Sequence, residues 1–82
     1  MSIVVRYFAA ARDAAGSDSE QLTVQPGVTV AALVDELSTR NSELARVLTR
    51  CSFLCDGIAV RDKAQQLRVG ATIDVLPPFA GG

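Results

Sequence analysis

The sequence predicts an α+β domain of two layers: a mixed sheet of four or five strands with one main helix packed on one face. Three observations point there. Short apolar stretches with strand spacing open and close the chain. A single segment with clear helical spacing lies between them. Turn chemistry separates the rest, most sharply at Asp56-Gly57.

Residues 2–8 read as the first strand. Ile3, Val5 and Tyr7 share one face; Val4, Arg6 and Phe8 share the other. Both faces are largely apolar, which places this strand inside a sheet. Residues 9–15 are rich in alanine and are expected to form a short helical turn or an ordered loop. Gly16-Ser17-Asp18-Ser19 is a polar turn. Residues 20–25 form a second strand with Leu22 and Val24 inward, so the first two strands make a hairpin with a long connection. Pro26-Gly27 closes it.

The main helix follows. Thr29 is a plausible N-cap. Val30, Leu33, Val34 and Leu37 fall at i, i+3, i+4 and i+7 and make one apolar face. Arg40 sits near its C-terminus, where the helix dipole favours a cation. Ser42 is expected to cap a second short helix carrying Leu44, Val47 and Leu48. Residues 52–55 form the third strand, Asp56-Gly57 turns it, and residues 58–60 return. Residues 61–68 are polar, with Leu67 as a single apolar anchor. After a turn at Gly70, residues 72–76 form the last strand, with Ile73 and Val75 on one side. Strand, strand, helix, strand, short strand, strand is the order of the β-grasp, or ubiquitin-like, fold.

Composition narrows the function. The chain has 82 residues, enough for one small domain. It is 49% hydrophobic, so a real core is expected, filled by Leu, Val and Ile because aromatics are few. The net charge of −1 and the lack of a basic run speak against nucleic acid and against a charged membrane surface. No stretch approaches the length of a membrane span, and the start lacks a signal-peptide pattern, so a cytoplasmic protein is expected. Cys51 and Cys55 fit that compartment, and Cys55 reads as a small buried hydrophobe. There is no histidine, no phosphate-binding glycine loop and no metal-ligand spacing. Catalytic machinery of the chain's own is therefore not expected, nor is a bound metal or cofactor.

The end of the chain is where chemistry is expected. Pro77 and Pro78 fix φ and cannot donate to a sheet ladder, so the last strand stops and an extended spacer begins. Phe79, Ala80, Gly81 and Gly82 then form a slender, mobile tip that reaches roughly 13 Å when extended. We expect a domain over residues 1–76 and a tail over residues 77–82. A carboxylate on two residues without side chains can be threaded into another protein's active site. Left ionised it resists nucleophiles. Converted to an acyl-adenylate it gains a leaving group, and sulfur can displace AMP to leave a thiocarboxylate at Gly82.

Several stretches carry a family likeness. Phe8-Ala9-Ala10-Ala11-Arg12-Asp13-Ala14-Ala15-Gly16 matches a Phe-Ala-x-x-Arg-Glu/Asp-x-x-Gly pattern after the first strand. Val28-Thr29-Val30-Ala31-Ala32-Leu33 at the helix start, Cys55-Asp56-Gly57 at the hairpin and the run from Val75 to Gly82 complete it. In these features the chain resembles the sulfur-carrier small subunits of molybdopterin synthase, the MoaD type. That resemblance implies adenylation of Gly82 by an E1-like enzyme that uses ATP, followed by loading with sulfur from a donor. It also implies docking on a large synthase subunit, as in a heterotetramer, and sulfur transfer to cyclic pyranopterin monophosphate. The implied partner surface is Phe8, Leu76, Pro77, Pro78, Phe79, Ala80, Gly81 and Gly82. The chain departs from the family at Asp56 for a usual Asn, at Val69 for a common Asp, and at Phe79 for a typical Val. Rival readings are a sister carrier for cysteine or thiazole synthesis, a ubiquitin-like modifier joined to lysines through Gly82, and an interaction module with an inert tail.

Overall fold

The computed structural model describes residues 1–78. Five strands form one mixed sheet in the order β2-β1-β5-β3-β4. In chain order the elements are β1 (Ser2–Tyr7), α1 (Ala9–Ala15), β2 (Ser19–Thr23), α2 (Val30–Ser38), α3 (Ser42–Leu48), β3 (Ser52–Cys55), β4 (Ile58–Ala59) and β5 (Thr72–Leu76). β1 and β5, the two ends of the domain, lie parallel at its centre, with Val5 opposite Ile73 and Tyr7 opposite Val75. The other pairings are antiparallel. This is the two-layer β-grasp architecture.

Alternation explains the core. Ile3, Val5 and Tyr7 of β1, Ile73 and Val75 of β5, and Phe53 and Cys55 of β3 point to one side and are buried. The helices close that side with Ala11, Val30, Leu33, Leu37, Leu44 and Leu48, in one continuous cluster with Val24, Leu67 and Ala71. α2 begins where its sequence predicts: the Thr29 hydroxyl accepts the Ala32 N–H at 3.1 Å. Its spacing holds too, with Val30, Leu33 and Leu37 buried and Val34 half-buried.

The structure corrects or sharpens the sequence reading in four places. There are three helices among the described residues, where one main helix, a second short one and a helical turn or ordered loop were expected. Residues 9–15, read as a helical turn or an ordered loop, form a helix of seven residues, with Ala11 buried and α1 packed on α3. The cap of α3 is Asn41, whose side-chain oxygen accepts the Leu44 N–H at 2.7 Å; Ser42 is already inside the helix. The returning strand spans only Ile58–Ala59, although the Val60 N–H still donates to Phe53 O at 2.9 Å, the next partner in the same register.

The Asp56-Gly57 hairpin forms as expected, with both residues at positive φ (50° and 83°). Asp56 also makes a tertiary contact. Its carboxylate accepts the Thr72 N–H at 2.9 Å while its own N–H donates to Thr72 O. The hairpin is thereby tied to the start of β5. Among the described residues no helix is long and apolar enough to cross a membrane.

Candidate functional site: the open sheet face and the tail exit

The side chains that alternate away from the core define the sheet's other face. Val4, Arg6 and Phe8 come from β1 and its extension, Thr72, Asp74 and Leu76 from β5, and Ser52 and Leu54 from β3. Among the described residues no helix covers this face. Phe8 continues the β1 ladder through its N–H to Val75 O at 3.2 Å. The chain then turns into α1 through Ala9, an alanine held at φ 50°. That left-handed residue redirects the backbone and leaves the Phe8 ring on the sheet, 38% exposed.

A charged pair sits at the centre of this face. Arg6 and Asp74 are register partners on neighbouring strands. Arg6 donates through Nε to Asp74 Oδ1 at 2.6 Å and through Nη2 to Oδ2 at 2.8 Å. This is the two-pronged geometry that a planar guanidinium allows and an ammonium does not. The Asp74 side chain is 8% exposed and that of Arg6 51%. The guanidinium also lies 5.6 Å from the centre of the Phe8 ring. Asp74 therefore holds Arg6, and Arg6 lies over Phe8. Leu54, Val4 and Leu76 are half-buried around the pair.

The sequence reading named Phe8 and Leu76, and the structure brings both to this face. It places Pro77 and Pro78 directly after β5, with Pro77 buried and Pro78 exposed. Phe79, Ala80, Gly81 and Gly82 lie outside the described residues. The two prolines line a groove of about 400 Å³ together with Ala10 of α1 and Glu43, Arg46, Val47 and Arg50 of the α3 region. Sequence reasoning missed the Arg6–Asp74 pair and this groove. A signal for the first existed, because Arg6 and Asp74 are opposite charges on the same-parity positions as Phe8 and Leu76. None existed for the second, which joins segments far apart in the chain.

Two further groups have a structural role. Burial raises the Cys51 thiol, partly offset by Lys63, and burial with the Asp56 charge raises that of Cys55. Both thiols are therefore protonated near neutral pH and are poor nucleophiles. On the helix side of the sheet, Tyr7 donates its hydroxyl to Glu20 at 2.8 Å, and Arg40 donates to the other Glu20 oxygen at 2.5 Å. Burial, then the Glu20 hydrogen bond, pushes the Tyr7 hydroxyl far above its ordinary value.

Comparison with known proteins assigns this β-grasp domain to a family. Residues 5–82 match the ThiS family, and the chain belongs to that family. A relative in Chlamydomonas reinhardtii, a molybdopterin synthase sulfur carrier subunit, is 28% identical over 83 residues, spanning 100% of both chains. Among solved structures, the chain is similar to SAMP1, small archaeal modifier protein 1, of Haloferax volcanii. That match has a TM-score of 0.85 and 24% identity, with 100% of both chains covered. It is also similar to a chain in the complex of subunits 1 and 2 of molybdopterin-converting factor from Helicobacter pylori. There the TM-score is 0.75 and the identity 21%, again over 100% of both chains.

Proposed function

We propose that this chain is the sulfur-carrying small subunit of a molybdopterin synthase, with Gly82 as its chemical site. The observation that supports this best is the continuity of the open sheet face with the tail. Phe8 and Leu76 offer apolar contact beside the point where Pro77-Pro78 launches the Gly-Gly end. A partner that grips the face can therefore receive the tip in its active site. The Chlamydomonas relative favours the molybdenum pathway over its cysteine and thiazole sisters. The Helicobacter complex of subunits 1 and 2 favours a large subunit as the partner.

The chemistry belongs to Gly82 and to the partners. The Gly82 carboxylate attacks the α-phosphorus of ATP on an E1-like enzyme and releases pyrophosphate. A sulfur nucleophile from the donor displaces AMP from the acyl carbon and leaves a thiocarboxylate. On the large subunit that sulfur passes to cyclic pyranopterin monophosphate, and water restores the carboxylate. ATP is consumed by the activating enzyme, and the carrier holds no cofactor of its own. The domain's part is to present the tip and to dock. Phe8, Leu76, Pro77, Pro78, Phe79, Ala80 and Gly81 form the contact surface.

The test is the intact mass of the chain after incubation with ATP, an E1-like activating enzyme and a sulfur source. The expected result is exchange of one oxygen for sulfur, abolished by deletion of Gly82. Adding the large subunit and the cyclic pterin should then return the original mass. A second reading, a ubiquitin-like modifier, has the similarity to SAMP1 in its favour. It predicts Gly82–lysine linkages in cell extracts and no transfer of sulfur to the pterin.

A further inference from the structure

The groove beside the tail exit has a charge that the carrier chemistry does not use. Its apolar floor is Ala10, Val47 and Pro77, and its charged groups are Glu43, Arg46 and Arg50. One acid and two bases leave the lining with an excess of one positive charge, on a chain whose net charge is −1. Arg46 is paired with Glu43, but their side chains are 73% and 58% exposed. Such a pair is weakly held in water and can be exchanged for another. Arg50 has no carboxylate within ion-pair distance among the described residues. Both arginines thus face the solvent through which anything gripping Pro77 and Pro78 must approach.

We propose that this groove is an electropositive docking notch for a carboxylate-rich segment of the enzyme that activates the Gly82 end. The inference rests on the activation step proposed above. Two features select this occupant. Pro77 and Pro78 both line the groove, so an enzyme holding the tail necessarily borders it. The paired positive groups complement Asp and Glu side chains, which Arg46 and Arg50 can each meet through two parallel N–H donors. The apolar floor accepts the stems of those side chains. The notch lies apart from the open sheet face, so the activating enzyme can use a grip on α3 that docking on the sheet does not require.

The experiment is ATP–pyrophosphate exchange by the purified activating enzyme with the full-length chain as substrate, at low and at high salt. Arg50→Glu and Arg46→Glu should each raise the KM for the carrier about tenfold at low salt while kcat holds. The effect should shrink towards nothing at ~1 M salt, where screening acts over about 3 Å. Arg50→Lys should recover most of the loss. Arg68→Glu makes the same change of charge at a separate hollow beside Ile58, and should stay within about twofold of the parent. If Arg50→Glu behaves like Arg68→Glu, the notch is overturned while activation stands. If the parent chain supports no exchange at all, the activation reading falls and takes the notch with it. If the Arg50 side-chain N–H resonance of the free chain follows titration of the Gly82 carboxyl and shifts on Gly82 deletion, the occupant is the chain's own end. That result also overturns the proposal.

Discussion

The two faces of the β1–β5 pair are built from alternate residues of the same strands, yet they do opposite work. Towards the helices stand Ile3, Val5, Tyr7, Ile73 and Val75, all within 2% of complete burial. Towards solvent stand Val4, Arg6, Phe8, Thr72 and Leu76, with Asp74 the one residue among them that is buried. A one-residue shift in register would exchange the two sets. The difference teaches that apolar content alone does not assign a residue to the core here. Phe8 is as hydrophobic as Phe53, but only Phe53 has a helix layer above it. Stability is concentrated on one face, and the other, which we propose for docking, stands towards solvent.

The comparison is tested most severely on the core face. Ile73→Ala removes a side chain at 1% exposure and should cost about 2–5 kcal/mol. For a domain of this size that is a large part of the total, which is on the order of 4–12 kcal/mol. Urea denaturation followed by circular dichroism reads it. A loss below about 1 kcal/mol would mean that the face is not the core described here.

On the open face the same kind of truncation should move binding and leave stability almost untouched. Phe8→Ala should weaken association with the large synthase subunit by about tenfold or more, as removal of an aromatic anchor does. The urea midpoint should stay near that of the parent. Loss of fold with intact binding would reverse the assignment of Phe8.

The Arg6–Asp74 pair sharpens the comparison because its members differ in exposure. Arg6→Leu strands a mostly buried carboxylate, while Asp74→Asn leaves a half-exposed guanidinium with an amide oxygen to bond. The urea midpoint should therefore fall further for Arg6→Leu than for Asp74→Asn. Equal effects would show that Asp74 reaches water without Arg6.

A smaller effect is expected at the edge of the core face, where Glu20 joins β2 to Tyr7 and Arg40. Burial alone would raise its carboxyl. The hydrogen bonds from Arg40 and Tyr7 outweigh that and hold it below its ordinary value of 4.5. A folded pKa below the unfolded one adds stability above the unfolded value and loses it as pH falls through the folded value. Parent and Glu20→Gln should thus differ at neutral pH and converge as the pH falls below 4.5 and through the folded value of the carboxyl. Tyr7→Phe should cost about 1 kcal/mol at neutral pH, the worth of one hydrogen bond.

Much of this was legible because it is local. The helical period of Val30, Leu33 and Leu37 needs only neighbouring residues, and so does the positive-φ preference at Asp56-Gly57. The alternation in residues 2–8 and 72–76 already separated the two sets of side chains. What it could not say was which set the helices cover, since both are apolar. Residues 9–15 read as either a helical turn or an ordered loop for a related reason. Seven alanine-rich residues have too little intrinsic drive to form a stable helix alone, and it is packing of Ala11 against α3 that orders them.

By itself, then, the sequence determined the elements whose cause lies within a few residues: α2 and its Thr29 cap, the hairpin at Asp56-Gly57, the strands, and the Pro-Pro stop before Gly-Gly. Tertiary structure alone decided what depends on segments meeting across long separations. It paired Arg6 with Asp74, 68 positions apart, put Phe8 on the solvent face, and joined Ala10, Arg46 and Arg50 to the prolines of the tail. The physical reason is range. Periodicity and turn chemistry act through adjacent backbone units, whereas an ion pair or a groove exists only once distant strands and helices have been brought together.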